Sequence, residues 1–302
     1  MKQIIIGALG IILLMRCGDK DKHGNMLDTP TSGAITITVD ESLKPLIDAE
    51  ISAFEGIYHN AKVHVVYTSE SEAITRLLND SARLSIITRK LRENEKANLL
   101  RQAIVPSQLK LATGGIALIC NPAFNDSLLS IAKLKALLSG DKNSMSVTPE
   151  AVVFDQPNSG ITRFLTDTLK LVGPLPNYCF AVNGNAEVVD YVSKNRKAIG
   201  LIDISWISDR DDSTANEFLK TIKVLALAND SAFYRPYQAY MAQGQYPLLR
   251  DVMIVSREAR TGLASGFMAF MASDKGQRIV LKSGLVPATM PIRIIEVNHE
   301  PF

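Results

Sequence analysis

Phe154-Asp155-Gln156-Pro157-Asn158-Ser159-Gly160-Ile161-Thr162-Arg163-Phe164 is the stretch whose reading decides the fold. The apolar run Ala151-Val152-Val153 before it reads as a buried strand, and Phe164, Leu165, Leu169 and Leu171 after it recur at helical spacing. The segment is therefore a strand, a tight loop and a helix N-terminus. The first turn of a helix presents backbone N–H groups without intrahelical partners, together with the positive end of the dipole. Small hydroxyl residues such as Ser159 and Thr162 would complete a cradle there for an oxyanion. Ordinary N-capping by Asn158 or Ser159 is the competing reading, and the commoner one for an isolated Asn-Ser-Gly.

Composition narrows the choices around this loop. The chain has 302 residues, 46% hydrophobic and 21% charged, which is globular composition and enough length for two domains. With 33 Lys plus Arg against 31 Asp plus Glu, the net charge of +2 provides no bulk basic surface for nucleic acid. Any preference for anions must be local.

Upstream, Lys2 precedes an apolar run from Ile4 to Met15 that is short for a membrane span and suited to a signal-peptide core. Leu14-Met15-Arg16-Cys17 resembles a bacterial lipoprotein signal, although Arg16 stands where that signal carries a small residue. The expectation is a signal peptide over residues 1–16, lipid on Cys17, a polar stalk over residues 17–33 and a membrane-anchored body facing the periplasm, with an uncleaved N-terminal anchor as the alternative that Arg16 leaves open. Of the remaining cysteines, Cys120 and Cys179 both lie in apolar runs and read as separate buried thiols rather than a pair.

Strand patterns at Ala34 to Val39, Lys62 to Thr68 and Leu84 to Thr88 alternate with helices that open at Asp40-Glu41-Ser42 and Ser69-Glu70-Ser71-Glu72. Such alternation implies α/β architecture with parallel strands, whose ligands sit at the strands' carboxyl ends. Gln108 to Asn121 reads as two strand segments interrupted by Gly114-Gly115, where a second sheet begins. That sheet continues through Ala151 to Asp155, Tyr178 to Val182 and Ala198 to Ile202, and Lys223 to Leu227 reads as a return crossing. Asp251 to Val255, helices over Gly262 to Ala272 and Asp274 to Lys282, and a strand from Ile292 to Val297 complete the chain.

From roughly Ile35 to Val297 these residues resemble the phosphate-binding proteins of bacterial ABC importers. Four stretches carry the resemblance: Asp40-Glu41-Ser42-Leu43, Thr68-Ser69-Glu70-Ser71, Ile86-Ile87-Thr88-Arg89-Lys90-Leu91 and Asn158-Ser159-Gly160-Ile161-Thr162. It implies a two-lobed periplasmic binding protein fold, each lobe a mostly parallel sheet flanked by helices, with the ligand between lobes. Lobe I would comprise residues 34–115 and 228–302, and lobe II residues 116–227. It further implies a monomer without cofactor, metal or nucleic acid, which captures inorganic phosphate or a related oxyanion for ABC permease and ATPase subunits. The implied ligand-binding residues are Ser42, Leu43, Ser69, Glu70, Thr88, Arg89, Asp155, Ser159, Gly160, Ile161 and Thr162. In the family the last motif reads Gly-Ser-Gly-Thr, so Ile161 stands where a threonine is expected. Phosphate-specific members carry arginine where this chain has Asp155, and aspartate where it has Thr88-Arg89. With the two charges exchanged, Arg89 is expected to supply the positive charge and the Asp155 carboxylate to accept a hydrogen bond from the proton that phosphate retains.

Rival functions have little to stand on. The four histidines, His23, His59, His64 and His299, form no evident catalytic or metal cluster, and no Gly-x-Ser-x-Gly elbow occurs. Two Ser-x-x-Lys matches, at Ser107 and Ser130, lack the partner motifs of a serine hydrolase. The chain reads as a binding protein rather than an enzyme, and a tethered sensor or adhesion scaffold on the same fold is the alternative.

Overall fold

The structure, a computed structural model, describes residues 27–142, 148–229 and 232–292. Cys17, the signal expected before it and most of the stalk expected after it, and nearly all of the strand expected from Ile292 to Val297 lie outside the described residues.

The first strand, β1 (Gly33–Asp40), pairs in parallel with β2 (Ala61–Thr68) and β3 (Leu84–Ile87). Helix α1 (Lys44–Ile57) and helix α2 (Glu70–Leu78) make the crossovers, and α3 (Glu93–Arg101) follows β3. All four residues of β3 are buried, as expected for a strand covered on both faces. β1 leads into α1 through a 3-10 turn, Glu41–Leu43, whose Ser42 N–H donates to the Asp40 carboxylate, and Pro45 sits in the first turn of α1. A proline is harmless there because its missing N–H would have had no helical partner.

β4 (Ser107–Cys120) joins the halves of the molecule. Its first part pairs antiparallel with β12 (Leu249–Ser256), and its second, Ile116 to Cys120, with β8 (Ala198–Asp203). The break expected at Gly114-Gly115 is absent, and one continuous strand changes partners there. The glycines let it pass: a side chain at Gly114 would press on Leu285, and one at Gly115 on Met241 and the Leu248 carbonyl. Tyr246 donates its buried hydroxyl to the Ile116 carbonyl at 2.6 Å, pinning the strand where the partners switch.

Beyond β8 the sheet continues in parallel through β6 (Ala151–Phe154) to β7 (Cys179–Ala181). The path is β2-β1-β3-β12-β4-β8-β6-β7, with parallel strands at both ends and antiparallel pairing in the middle. After β5 (Leu128–Ser130) and α4 (Ile131–Leu138), this second half uses α5 (Gly160–Leu169) and α6 (Asn185–Lys194) as crossovers. After β8 the chain forms α7 (Ser205–Ser208) and α8 (Ser213–Thr221). The expected return crossing is two short strands, β9 (Lys223–Val224) and β10 (Ala226–Asn229), with β10 in a separate small sheet beside β5 and β11 (Ala232–Tyr234). After α9 (Gln238–Ala242) and β12 come α10 (Leu263–Ala272) and α11 (Asp274–Lys282), packed against the first half, and β13 (Val286–Pro287) closes on β4.

Cys120 and Cys179 are both free, the first buried and the second half-buried, and burial pushes their thiols up to about 11 and about 12. Among the described residues no helix is long and apolar enough to cross a membrane.

Candidate functional site between the two halves of the sheet

Parallel strands deliver the ends of β1, β3, β6 and β8 to one seam, so Asp40, Thr88, Asp155 and Asp203 face one another across it. Asp40 is 1% exposed. Its Oδ1 accepts from Ser42 N at 3.0 Å and Ser42 Oγ at 2.7 Å, and its Oδ2 accepts from Gly160 N of the opposite half at 3.1 Å. Gly160 begins α5, so the carboxylate sits against the positive end of that helix. Only glycine fits: a β-carbon here would run into Asp40 Oδ2 and lie 2.7 Å from Thr88 Oγ1 and 3.2 Å from Arg250 Nη1.

Arg250 enters from β12 and is wholly buried. Its Nε and Nη2 donate to Asp203 Oδ2 at 3.2 and 2.7 Å, and Nη2 donates to Ser42 Oγ at 2.7 Å. Its Nη1 has no partner among the described residues. Burial alone would lower the guanidinium's affinity for its proton, but the charges of Asp203 and Asp40 outweigh that and hold it above its usual range. Asp155 Oδ1 accepts from Ser159 Oγ at 2.6 Å, whereas its buried Oδ2 has no partner among the described residues. Burial and the charge of Asp40 push the Asp155 carboxyl up to about 7, against the opposing pull of Ser159 and Arg250.

A second ion cluster lies beside the first. Glu70 accepts from Thr88 N at 2.9 Å and Thr88 Oγ1 at 2.5 Å, and it forms an ion pair with Arg163 Nε across the seam. Arg163 Nη2 also donates to Thr88 Oγ1 at 3.0 Å. Burial pushes the Glu70 carboxyl up, but the Arg163 charge and these hydrogen bonds more than reverse it, leaving it below the ordinary carboxylate value. On the other flank Glu41 Oε2 accepts from Asn185 N at 3.2 Å and Asn185 Nδ2 at 2.7 Å. Trp206 Nε1 donates to the Ser42 carbonyl at 2.9 Å.

The residues expected from the sequence therefore divide. Ser42, Glu70, Thr88, Asp155, Ser159 and Gly160 meet at the seam. Ser69 caps α2 through Glu72 N, Ser159 caps α5 through Thr162 N, and Thr162 Oγ1 lies 3.3 Å from Ser159 Oγ. Leu43 and Ile161 are core side chains with no exposed surface. Arg89 does not supply the central charge. Its guanidinium grips Glu95 with two bonds of 2.7 Å and approaches Glu70 only to 3.5 Å. Sequence reasoning assigned no site role to Asp40, Glu41, Arg163, Asn185, Asp203 or Arg250. Two signals were present: consecutive carboxylates between a strand and its helix, and an arginine at the start of the apolar run Val252 to Val255.

Two α/β halves meeting over buried, convergent hydrogen-bond donors define a two-lobed binding protein of the periplasmic type. A family model described as a PBP superfamily domain matches residues 27–275, and the chain belongs to that family. The chain is 23% identical over 263 residues to the phosphate-binding protein PstS of Bacillus subtilis, an alignment covering 85% of this chain and 82% of that one. A candidate phosphate ABC transporter substrate-binding protein of Clostridium perfringens, solved with bound phosphate, superposes with a TM-score of 0.72 at 20% identity, covering 85% of this chain and 100% of the other. An ABC-type phosphate transport receptor of Vibrio cholerae gives 0.64 at 21% identity, covering 84% and 100%.

Proposed function

We propose that this chain is the substrate-binding component of an ABC importer for an inorganic oxyanion, with phosphate the first candidate. The observation that carries the reading is the set of donors converging at the seam: Ser42 N and Oγ from one lobe, Gly160 N at the start of α5 from the other, and the wholly buried guanidinium of Arg250 with an unused Nη1. Fixed N–H groups and an arginine in a dry site suit a compact oxyanion far better than a sugar or an amino acid. The names of the three relatives given above, a phosphate-binding protein and two phosphate-transport receptors, support the same reading.

Several finer assignments belong with it. The lobes are residues 34–115 with 228–302, and 116–227, joined where β4 changes partners, and ligand exchange opens them by a hinge at that crossing. Asp155 accepts a hydrogen bond from a protonated oxygen of the ligand, which fully ionised sulfate cannot offer. Cys17 carries lipid and tethers a monomeric body on the periplasmic side. The deciding experiment is a thermal-shift screen of the purified full-length protein against phosphate, sulfate, molybdate and amino acids, since a ligand that binds only the folded state raises the melting temperature by mass action. Stabilisation by phosphate and not by amino acids is expected, and stabilisation by amino acids alone would refute the reading. For the anchor, labelling with a radioactive fatty acid should mark the wild type and not Cys17→Ser.

A further inference from the structure

The donors just described are already in use. Ser42 N, Ser42 Oγ and Gly160 N all point at one carboxylate, that of Asp40. This carboxylate belongs to the first lobe and Gly160 to the second, so the contact spans the seam. Two neighbours repeat the arrangement: Glu41 takes both donors of Asn185, and Glu70 takes Arg163. Three side chains of one lobe thus hold donors of the other. A surface cavity of about 750 Å³, lined among others by Ile204, Arg235 and Tyr237, shares no residue with this seam.

We propose that Asp40 is an intramolecular stand-in for the ligand: its carboxylate fills the oxyanion seat and holds the two lobes together, and an incoming oxyanion has to displace it. The inference rests on the oxyanion reading given above. Charge explains why the two cannot share the seat. Around Asp40 lie Asp155 from the end of β6, Asp203 from β8, Glu70 from α2 and its partner Arg163 from α5, and Arg250 from β12. Arg163 is committed to Glu70, so among the described residues Arg250 alone serves the three buried aspartates, and a phosphate added beside an ionised Asp40 would bring further uncompensated negative charge into a dry site.

Proton linkage follows from the same geometry. Burial raises the Asp40 carboxyl, as does Glu70, while Arg250 and the Ser42 bonds oppose them, and the balance is upward. As pH falls through that raised value Asp40 takes a proton, loses its claim on the Gly160 N–H and leaves the seat. Phosphate affinity should therefore rise as pH falls, more steeply in wild type than in a variant without this carboxylate. Phosphate's own ionisation is common to both proteins and cancels in the comparison.

The test uses the purified full-length protein and Asp40→Asn, whose Oδ1 still caps Ser42 N. Asp40→Ser serves as the second variant, since a hydroxyl also caps this turn without charge. Inorganic phosphate is titrated calorimetrically at about pH 8 and about pH 5.5. The emission of Trp206, the single tryptophan, and solution scattering then report the ligand-free state. Expected are phosphate binding about tenfold tighter or more in Asp40→Asn at the higher pH, a narrower gap at the lower pH, and a red-shifted Trp206 with a larger radius before ligand is added. Phosphate that binds wild type but binds both variants no more tightly would overturn the proposal and make Asp40 an ordinary ligand-holding residue. If phosphate binds none of the proteins, the ligand-free measurements decide: expansion of the variants upholds the Asp40 closure while refuting phosphate as ligand, and unchanged emission and radius refute the closure too.

Discussion

Replacing Arg250 with methionine removes the one cation that the described residues place in the central cluster and keeps an unbranched apolar stem. In the wild type both Arg250 and Asp203 have fully buried side chains joined at 2.7 Å, and the same Nη2 holds Ser42 Oγ at 2.7 Å. Removing one member of such a pair leaves an uncompensated buried charge and costs about 3–5 kcal/mol. With an m-value of about 2–3 kcal/mol/M for a chain of this size, the urea midpoint should fall by about 1–2.5 M. Two further measurements make the reasoning specific. Adding Asp203→Asn to Arg250→Met removes the orphaned carboxylate and should recover about 2 kcal/mol of the loss. Lowering the pH from about 8 to about 5 should also shrink the penalty of the single variant, because Asp40 and Asp155 can then be neutral without Arg250. The assay is equilibrium urea unfolding of the four proteins of the cycle at both pH values. A single-variant loss below about 1 kcal/mol, or a double variant no more stable than Arg250→Met alone, would refute the view that Arg250 neutralises this cluster.

Gly160→Ala should prevent the lobes from meeting, because its β-carbon would occupy the space of Asp40 Oδ2 and stand 2.7 Å from Thr88 Oγ1; scattering should show an expanded ligand-free particle with helix content unchanged by circular dichroism. Glu50 is fully buried in α1 with neither carboxylate oxygen partnered among the described residues, and burial pushes its carboxyl up to about 9. Its folded value lies above the unfolded one, so the unfolded chain releases this proton first, and wild-type stability should decline between about pH 4.5 and about pH 9. Glu50→Gln, which cannot ionise, should flatten that part of the stability profile in urea unfolding, and a profile parallel to wild type would count against the assignment.

How much of this protein was written locally can be judged element by element. Asn158-Ser159-Gly160 reads as a helix start because capping is a matter of a few neighbouring atoms. Ser159 does cap α5, and Asn158, with φ of 57°, takes the left-handed conformation that asparagine tolerates. The buried strands β3, β6 and β8 were legible as apolar runs, and their alternation with helices implied parallel pairing with a site at the carboxyl ends. The partner switch inside β4 was not legible, since a glycine pair reads equally as a break or as a place where neighbours come close. The site's charges were the least legible part. Arg89 stands at the predicted strand end, yet Glu95, supplied by the next helix, claims it. Arg250 lies 87 residues past Arg163, outside every motif, and it reaches the seam only because β12 returns between β3 and β4. Hydrophobic pattern and capping act over a turn or a strand and are therefore fixed by the sequence nearby. Which arginine meets which carboxylate depends on strand order and on the meeting of two lobes, and only the tertiary structure decides it.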